Sequence, residues 1–478
     1  MKLTKAVKGK DCFDSFTESL CSRLSHAVGT DSQRRGACVI FETEQNTDHP
    51  SPYGRTMFNI GMSLADQATI SGVRFITTVL IARYAGSEEV GIYSISFGFL
   101  LIATCMQDAL VCAPFTLFHS RSLGNYLGRY QGSVLFQVVI VGLVSAICFG
   151  VAWGLGRTQG STIGLNEAFG ALALSTPFVL LREFARRVEL ARLRLTAAFC
   201  IDAISGCLQL LFIGLLIRFD LLQIGGVYFA MGASCAIPAV LWLGVAYRES
   251  HYHLPSVVDD MQRHWAVGRW PFFAQILGIL HLQGVLWIVG WQLGVATAGM
   301  FAVCNYAIFL VNPLALGVCN VLSPLAVQTF QKSGLSRVRA LVWMAMLGMS
   351  AAITLFSLVA YWYADIILVT IYKDPALQGH ELLMLLLGIN MALGVAHMMN
   401  DQGVWAIEHP SWLLRSTLLT VTVTFVLAIP LVLVWSLNGA ALSLIVGRFV
   451  GLTYQSARFF LGPIGGDKDP LLETRGSA

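Results

Sequence analysis

The chain has 478 residues, of which 56% are hydrophobic and 12% charged, about half the charge of an average soluble domain. That balance excludes a soluble globular fold and points to a polytopic membrane protein. The formal net charge of +4 carries no message about nucleic acid, and no nucleic-acid partner is expected.

The first 58 residues differ from the rest. They are polar, mixed in charge and without a signal-peptide pattern, because no apolar core follows Lys2, Lys5, Lys8 and Lys10. Their composition predicts a disordered cytoplasmic tail. The alternative is a short interfacial helix with Phe13, Phe16, Leu20 and Leu24 on one face. Met57 and Met62 stand as alternative start sites.

From there on the apolar runs are long and do not alternate, which in lipid means helices rather than barrel strands. Twelve spans are predicted, at 61–84, 90–118, 130–155, 165–185, 195–217, 222–246, 270–292, 298–322, 339–363, 380–402, 412–435 and 438–461. The chain thus reads as an all-α integral membrane protein: an N-lobe (59–247), a cytoplasmic linker (248–269), a C-lobe (270–462) and a short cytoplasmic tail (463–478). Trp153, Trp291, Trp362 and Trp435 fall near span ends, where an aromatic belt belongs. With the N-terminus inside, 25 of the 31 Lys and Arg lie on the cytoplasmic side, against Arg83, Arg157, Arg218 and Lys373 outside. Both termini are therefore expected in the cytoplasm of a plasma (inner) membrane protein. Eight cysteines fall within spans and Cys12, Cys21 and Cys38 lack metal-ligand spacing, so no disulfide, metal or other cofactor is expected.

Two charges stand out in the first span. Asp66 lies about one turn in and Arg74 near the centre, where a charge costs on the order of 3 kcal/mol. Charges at that depth face a protein interior or a watery path. Counted from the cytoplasmic ends, Asp66, Asp202 and Asp108 lie about 7, 10 and 15 Å deep, and Arg74 and Arg448 about 20 Å.

The second half echoes the first. Gly86-Ser-Glu-Glu-Val-Gly91-Ile-Tyr93 joins helices 1 and 2, and Gly294-Val-Ala-Thr-Ala-Gly299-Met-Phe301 joins helices 7 and 8. Six helices per half make the repeat parallel, about an axis along the membrane normal, with a site between two lobes.

The run Ala65-Asp66-Gln67, Ser71-Gly72-Val73-Arg74-Phe75, then Gly86 and Gly91-Ile92-Tyr93, resembles the opening of the polysaccharide flippases, in the superfamily that also holds the multidrug and toxin extrusion transporters. Leu181-Arg182-Glu183-Phe184-Ala185-Arg186-Arg187, Asn312-Pro313 and Asn320-Val321-Leu322-Ser323-Pro324 fit the same pattern. The likeness runs over residues 60–460, with Arg74 standing where the pattern has Asn. It implies a non-enzymatic transporter that moves a lipid-linked oligosaccharide or polysaccharide precursor from the cytoplasmic to the outer leaflet by alternating access. Its substrate would be a polyprenyl-pyrophosphate-linked glycan, with glycosyltransferases and a glycan polymerase as partners.

On that reading Arg74 and Arg448 present forked donors to pyrophosphate. His281, Gln283, Asn305 and Asn312 are candidates for gripping sugar hydroxyls or pyrophosphate, each with interhelical hydrogen bonding as its alternative. Asp66, Asp108, Asp202 and His397 are candidates for coupling or gating. Arg182, Arg186, Arg187, Arg192 and Arg194 form the densest basic cluster, placed after helix 4, and either attract anionic lipid or merely set topology.

Two other functions compete. A drug or cation antiporter of the same fold would use the acids, and a membrane glycan polymerase or acyltransferase would draw on Asp259, Asp260, His251, His253 and His264 of the linker. A major-facilitator architecture also has twelve helices, but its basic motif between helices 2 and 3 lacks the acid in Leu123–Arg129.

Overall fold

The computed structural model describes residues 52–119, 125–159, 163–246, 254–372 and 378–462. The following concerns the unit Ile60–Ala478. The proposed tail face of Phe13, Phe16, Leu20 and Leu24, Cys12, Cys21 and Cys38, linker residues His251 and His253, and the tail from 463 lie outside the described residues.

Every regular element among the described residues is helical. Pro52–Gln107 breaks at Gly86 (φ 89°, ψ 176°) into α1 (52–85) and α2, which continues through a π-helical turn, Asp108–Cys112, to His119. Next come α3 (Asn125–Gln159), α4 (Ile163–Ala191), α5 (Leu195–Arg218) and α6 (Ile224–Ala246). The helix α7 (254–293) carries a π-helical turn at Leu280–Gly284. Gly294 (φ 94°) then turns the chain into α8 (295–333), interrupted at Leu310–Val311 just ahead of Pro313, where the ring removes a backbone donor. The C-lobe is completed by α9 (Leu335–Trp362), α10 (Glu381–Ala406), and α11 (410–435) and α12 (437–461), which divide at Ser436 (φ 52°). Among the described residues, ten helical stretches are long and apolar enough to cross a membrane, and two of them, Ala65–His119 and Pro410–Leu461, hold two passes each. The expected twelve helices in two lobes of six are present.

The repeated glycine motif has a physical reason. Gly86 and Gly294 both adopt positive φ, which costs a residue with a Cβ about 1–2 kcal/mol. Gly91 lies against the Val295 carbonyl and Gly299 against that of Ser87. Each corner therefore receives the other's backbone in a symmetric contact that no side chain could share. A third contact binds the halves there: the Trp287 indole N–H donates to the Ile95 carbonyl at 3.1 Å, and its ring stacks on Phe99 at 4.6 Å.

Two spans differ from their sequence-based ends. The linker and the start of helix 7 are one continuous helix, whose inward face, Val257, Asp260 and His264, is buried, with His264 Nε2 2.8 Å from the Tyr130 hydroxyl. The helix α4 runs past residue 185 to Ala191, because the arginines of its last turns find acidic partners inside the lobe.

Candidate functional site: a polar cavity between the lobes

Between the lobes lies a cavity of about 190 Å³. The α1 helix contributes Ser71, Arg74 and Phe75, α2 contributes Phe97 and Leu101, α7 contributes Leu282, Gln283 and Leu286, and α8 contributes Phe301, Asn305, Tyr306 and Asn312. Four of the six proposed substrate-binding residues thus share one space. Gln283 sits in the π turn of α7, and Asn312 follows directly on the break in α8. Among the described residues, the side chains of Arg74, Gln283, Asn305 and Asn312 make no hydrogen bond or ion pair within the protein. The Arg74 guanidinium sits 5.0 Å from the centroid of Phe97. No carboxylate lines this cavity.

Arg74, Phe97 and Leu101 also line a second, larger cavity of about 430 Å³, walled mostly by the N-lobe and closed on one side by Gln275 and Ile279 of α7. Its polar wall is a chain of ion pairs. Arg186 binds Asp66 at 2.7 Å, Asp202 at 2.5 Å and Glu183 at 3.1 Å. Arg182 also pairs with Asp202. Arg187 binds Asp108 at 2.6 Å, and the Gln275 amide donates to the same carboxylate at 3.2 Å. The three proposed coupling acids of the N-lobe, Asp66, Asp108 and Asp202, therefore all have arginine partners on α4. Asp202 is 1% exposed and Arg186 10% at the side chain, a depth at which removing one partner strands the other's charge.

Arg448, His281 and His397 occupy a different place, the packed interior of the C-lobe. None lines either cavity. Arg448 lies beside Gly394 of α10. His281 is buried, with Nδ1 3.2 Å from the Thr424 hydroxyl of α11. His397 Nε2 lies 2.6 Å from Gln455 Oε1 and 2.8 Å from Ser416 Oγ, and the Gln455 amide donates to Asp401 at 2.8 Å. These groups join α10, α11 and α12 into a polar interior.

The aromatic lining, Phe75, Phe97, Phe301, Phe309 and Tyr306, was not singled out from the sequence. Its visible signal is the aromatic that closes each glycine motif. Tyr93 lies one turn before Phe97, and Phe301 itself faces the cavity.

Neither a protein-family model nor a curated protein matches the sequence. Solved structures do. A multidrug resistance MATE family transporter of the MOP superfamily in its inward-facing conformation superposes with a TM-score of 0.69 at 12% identity, over 84% of this chain and 96% of that one. The lipid II flippase MurJ in an inward closed conformation gives 0.64 at 13% identity, over 84% and 85%. An outward-facing MATE transporter gives 0.59 at 12% identity, over 84% and 95%. The chain has the MOP-superfamily fold. The cavity with Arg74 is lined from both lobes, and it shares Arg74, Phe97 and Leu101 with the second cavity.

Proposed function

We propose that this protein is an alternating-access transporter that moves an anionic lipid-linked oligosaccharide or polysaccharide precursor from the cytoplasmic to the outer leaflet. The observation that carries this reading is Arg74: a permanent cation in a cavity between the lobes, with three uncommitted amides beside it and no carboxylate in the wall. Arg74 is exposed to that cavity, and its planar fork can give a phosphate-bearing ligand two parallel charge-assisted hydrogen bonds at the moment of binding. The amides suit sugar hydroxyls, and the aromatic rings suit the apolar faces of pyranoses.

With both termini cytoplasmic, the glycine corners close the outer end of the cavity. The head group enters from the cytoplasm, the polyprenyl chain stays in lipid, and parting of the corners releases the glycan outside. The ligand of this reading is a polyprenyl-pyrophosphate-linked glycan, made and consumed by membrane glycosyltransferases and a polymerase.

A multidrug or cation antiporter of the same fold needs an available carboxylate. Asp66, Asp108, Glu183 and Asp202 all face arginine within 4 Å, which disfavours that reading. The test is complementation of a strain lacking the protein. Arg74→Gln should abolish surface glycan while the protein still reaches the membrane. Full export by Arg74→Gln would remove the reading.

A further inference from the structure

An unpaired arginine deep in a membrane protein needs something to hold it, and a carboxylate would cancel the charge that a phosphate requires. The ring beneath Arg74 is the cavity end of a stack. Phe97 lies 5.0 Å from the guanidinium and is 7% exposed. One turn earlier on α2, Tyr93 stacks on Phe97 at 5.5 Å and an interplanar angle of 27°. Tyr228 of α6 stacks on Tyr93 in turn, at 5.5 Å and 26°. The far end of the stack is pinned. The Tyr228 hydroxyl donates to the Tyr93 carbonyl at 2.9 Å and lies 2.8 Å from Ser96 Oγ, while the Ser175 hydroxyl donates to the Tyr228 carbonyl at 2.8 Å. Tyr93 and Tyr228 are 2% and 0% exposed, so the stack has no freedom to shift sideways.

We infer that the Tyr228–Tyr93–Phe97 stack is the positioning element of the binding site: it fixes the Arg74 guanidinium in the cavity through the Phe97 ring face without neutralising it. The inference rests on the proposed function only for what Arg74 binds. A cation over an aromatic face is stabilised by the ring quadrupole. The ring leaves the outward side of the guanidinium, with its N–H fork, open to an oxyanion. Phe97 lines both cavities, so it also sets which way the arginine points. The glycine motif acquires a second purpose here, since the Tyr93 that closes it is the middle ring of the stack.

A double-mutant cycle tests this on the full-length protein in nanodiscs. Without ligand, Phe97→Leu should lower the apparent Tm in the wild-type background and change it little in Arg74→Gln, whereas Phe97→Trp should keep the wild-type value. Equal losses in both backgrounds would make Phe97 a packing residue and overturn the inference. With a prenyl-diphosphate-linked N-acetylglucosamine as probe, Phe97→Leu should weaken binding about two- to fivefold, Phe97→Trp should restore it, and Phe97→Leu should add no loss to Arg74→Gln. A ligand-free coupling between Phe97 and Arg74 together with equal probe binding by wild type and Arg74→Gln would uphold the positioning role and refute the phosphate reading instead.

Discussion

At the scale of single residues, the division of labour among the arginines decides most of the chemistry. Arg74 is left without a counter-ion in the described structure, while Arg182, Arg186 and Arg187 are committed to acids on α1, α2 and α5. These two situations predict opposite responses to mutation. Asp202→Asn leaves Arg182 and Arg186 with a shared deficit of negative charge in a buried place. It should cost on the order of 3 kcal/mol of stability, seen as a marked fall in apparent Tm with little membrane-inserted protein recovered. Arg74→Gln removes a charge that no carboxylate answers and that only the Phe97 ring face supports, so thermal stability should change little while transport is lost. Arg74→Lys should restore only part of the transport, because an ammonium cannot offer the planar fork. The sequence made Arg74 conspicuous through its depth alone. It concealed that Arg448, at the same depth, faces α10 instead of the cavity, because depth along a helix says nothing of which way a side chain is turned.

At the scale of elements, the corners were legible and the length of α4 was not. A spacing of glycines that recurs in both halves can be read directly, since positive φ and backbone contact both demand a residue without Cβ. The end of α4 depends on partners far away in the chain. Arg186 is separated from Asp66 by 120 residues, so the run Arg182-Glu183-Phe184-Ala185-Arg186-Arg187 reads as a surface cluster until the lobe is assembled. The corners also carry a prediction. Gly299→Ala drives a methyl group into the Ser87 carbonyl, so the halves must part at that end. Spin labels on Tyr84 and Trp291, both exposed at 61% and 77%, should move apart in Gly299→Ala relative to wild type. An unchanged distance would mean that the corners are not what closes the outer end.

At the scale of the whole molecule, two lobes of six helices meet over a cavity whose wall changes character from one side to the other. The N-lobe side supplies the cation and its supporting rings, the C-lobe side supplies amides from α7 and α8, and the acids are withdrawn into ion pairs. The twelve-helix plan was readable because hydropathy and basic-residue bias survive without tertiary information. The cavity was only partly readable. Gln283, Asn305 and Asn312 could be nominated as polar groups at mid-membrane, whereas His281, two residues from Gln283, turns into the C-lobe because residues two apart lie on opposite faces of a helix. Reconstitution tests the central claim most directly. In proteoliposomes loaded with a polyprenyl-pyrophosphate-linked oligosaccharide, the wild-type protein should move the glycan between leaflets and Arg74→Gln should slow it at least about thirtyfold, the scale of a lost charged hydrogen bond of about 2 kcal/mol. Equal rates for the two proteins, or transport of a fluorescent organic cation with no movement of the glycan, would contradict the account.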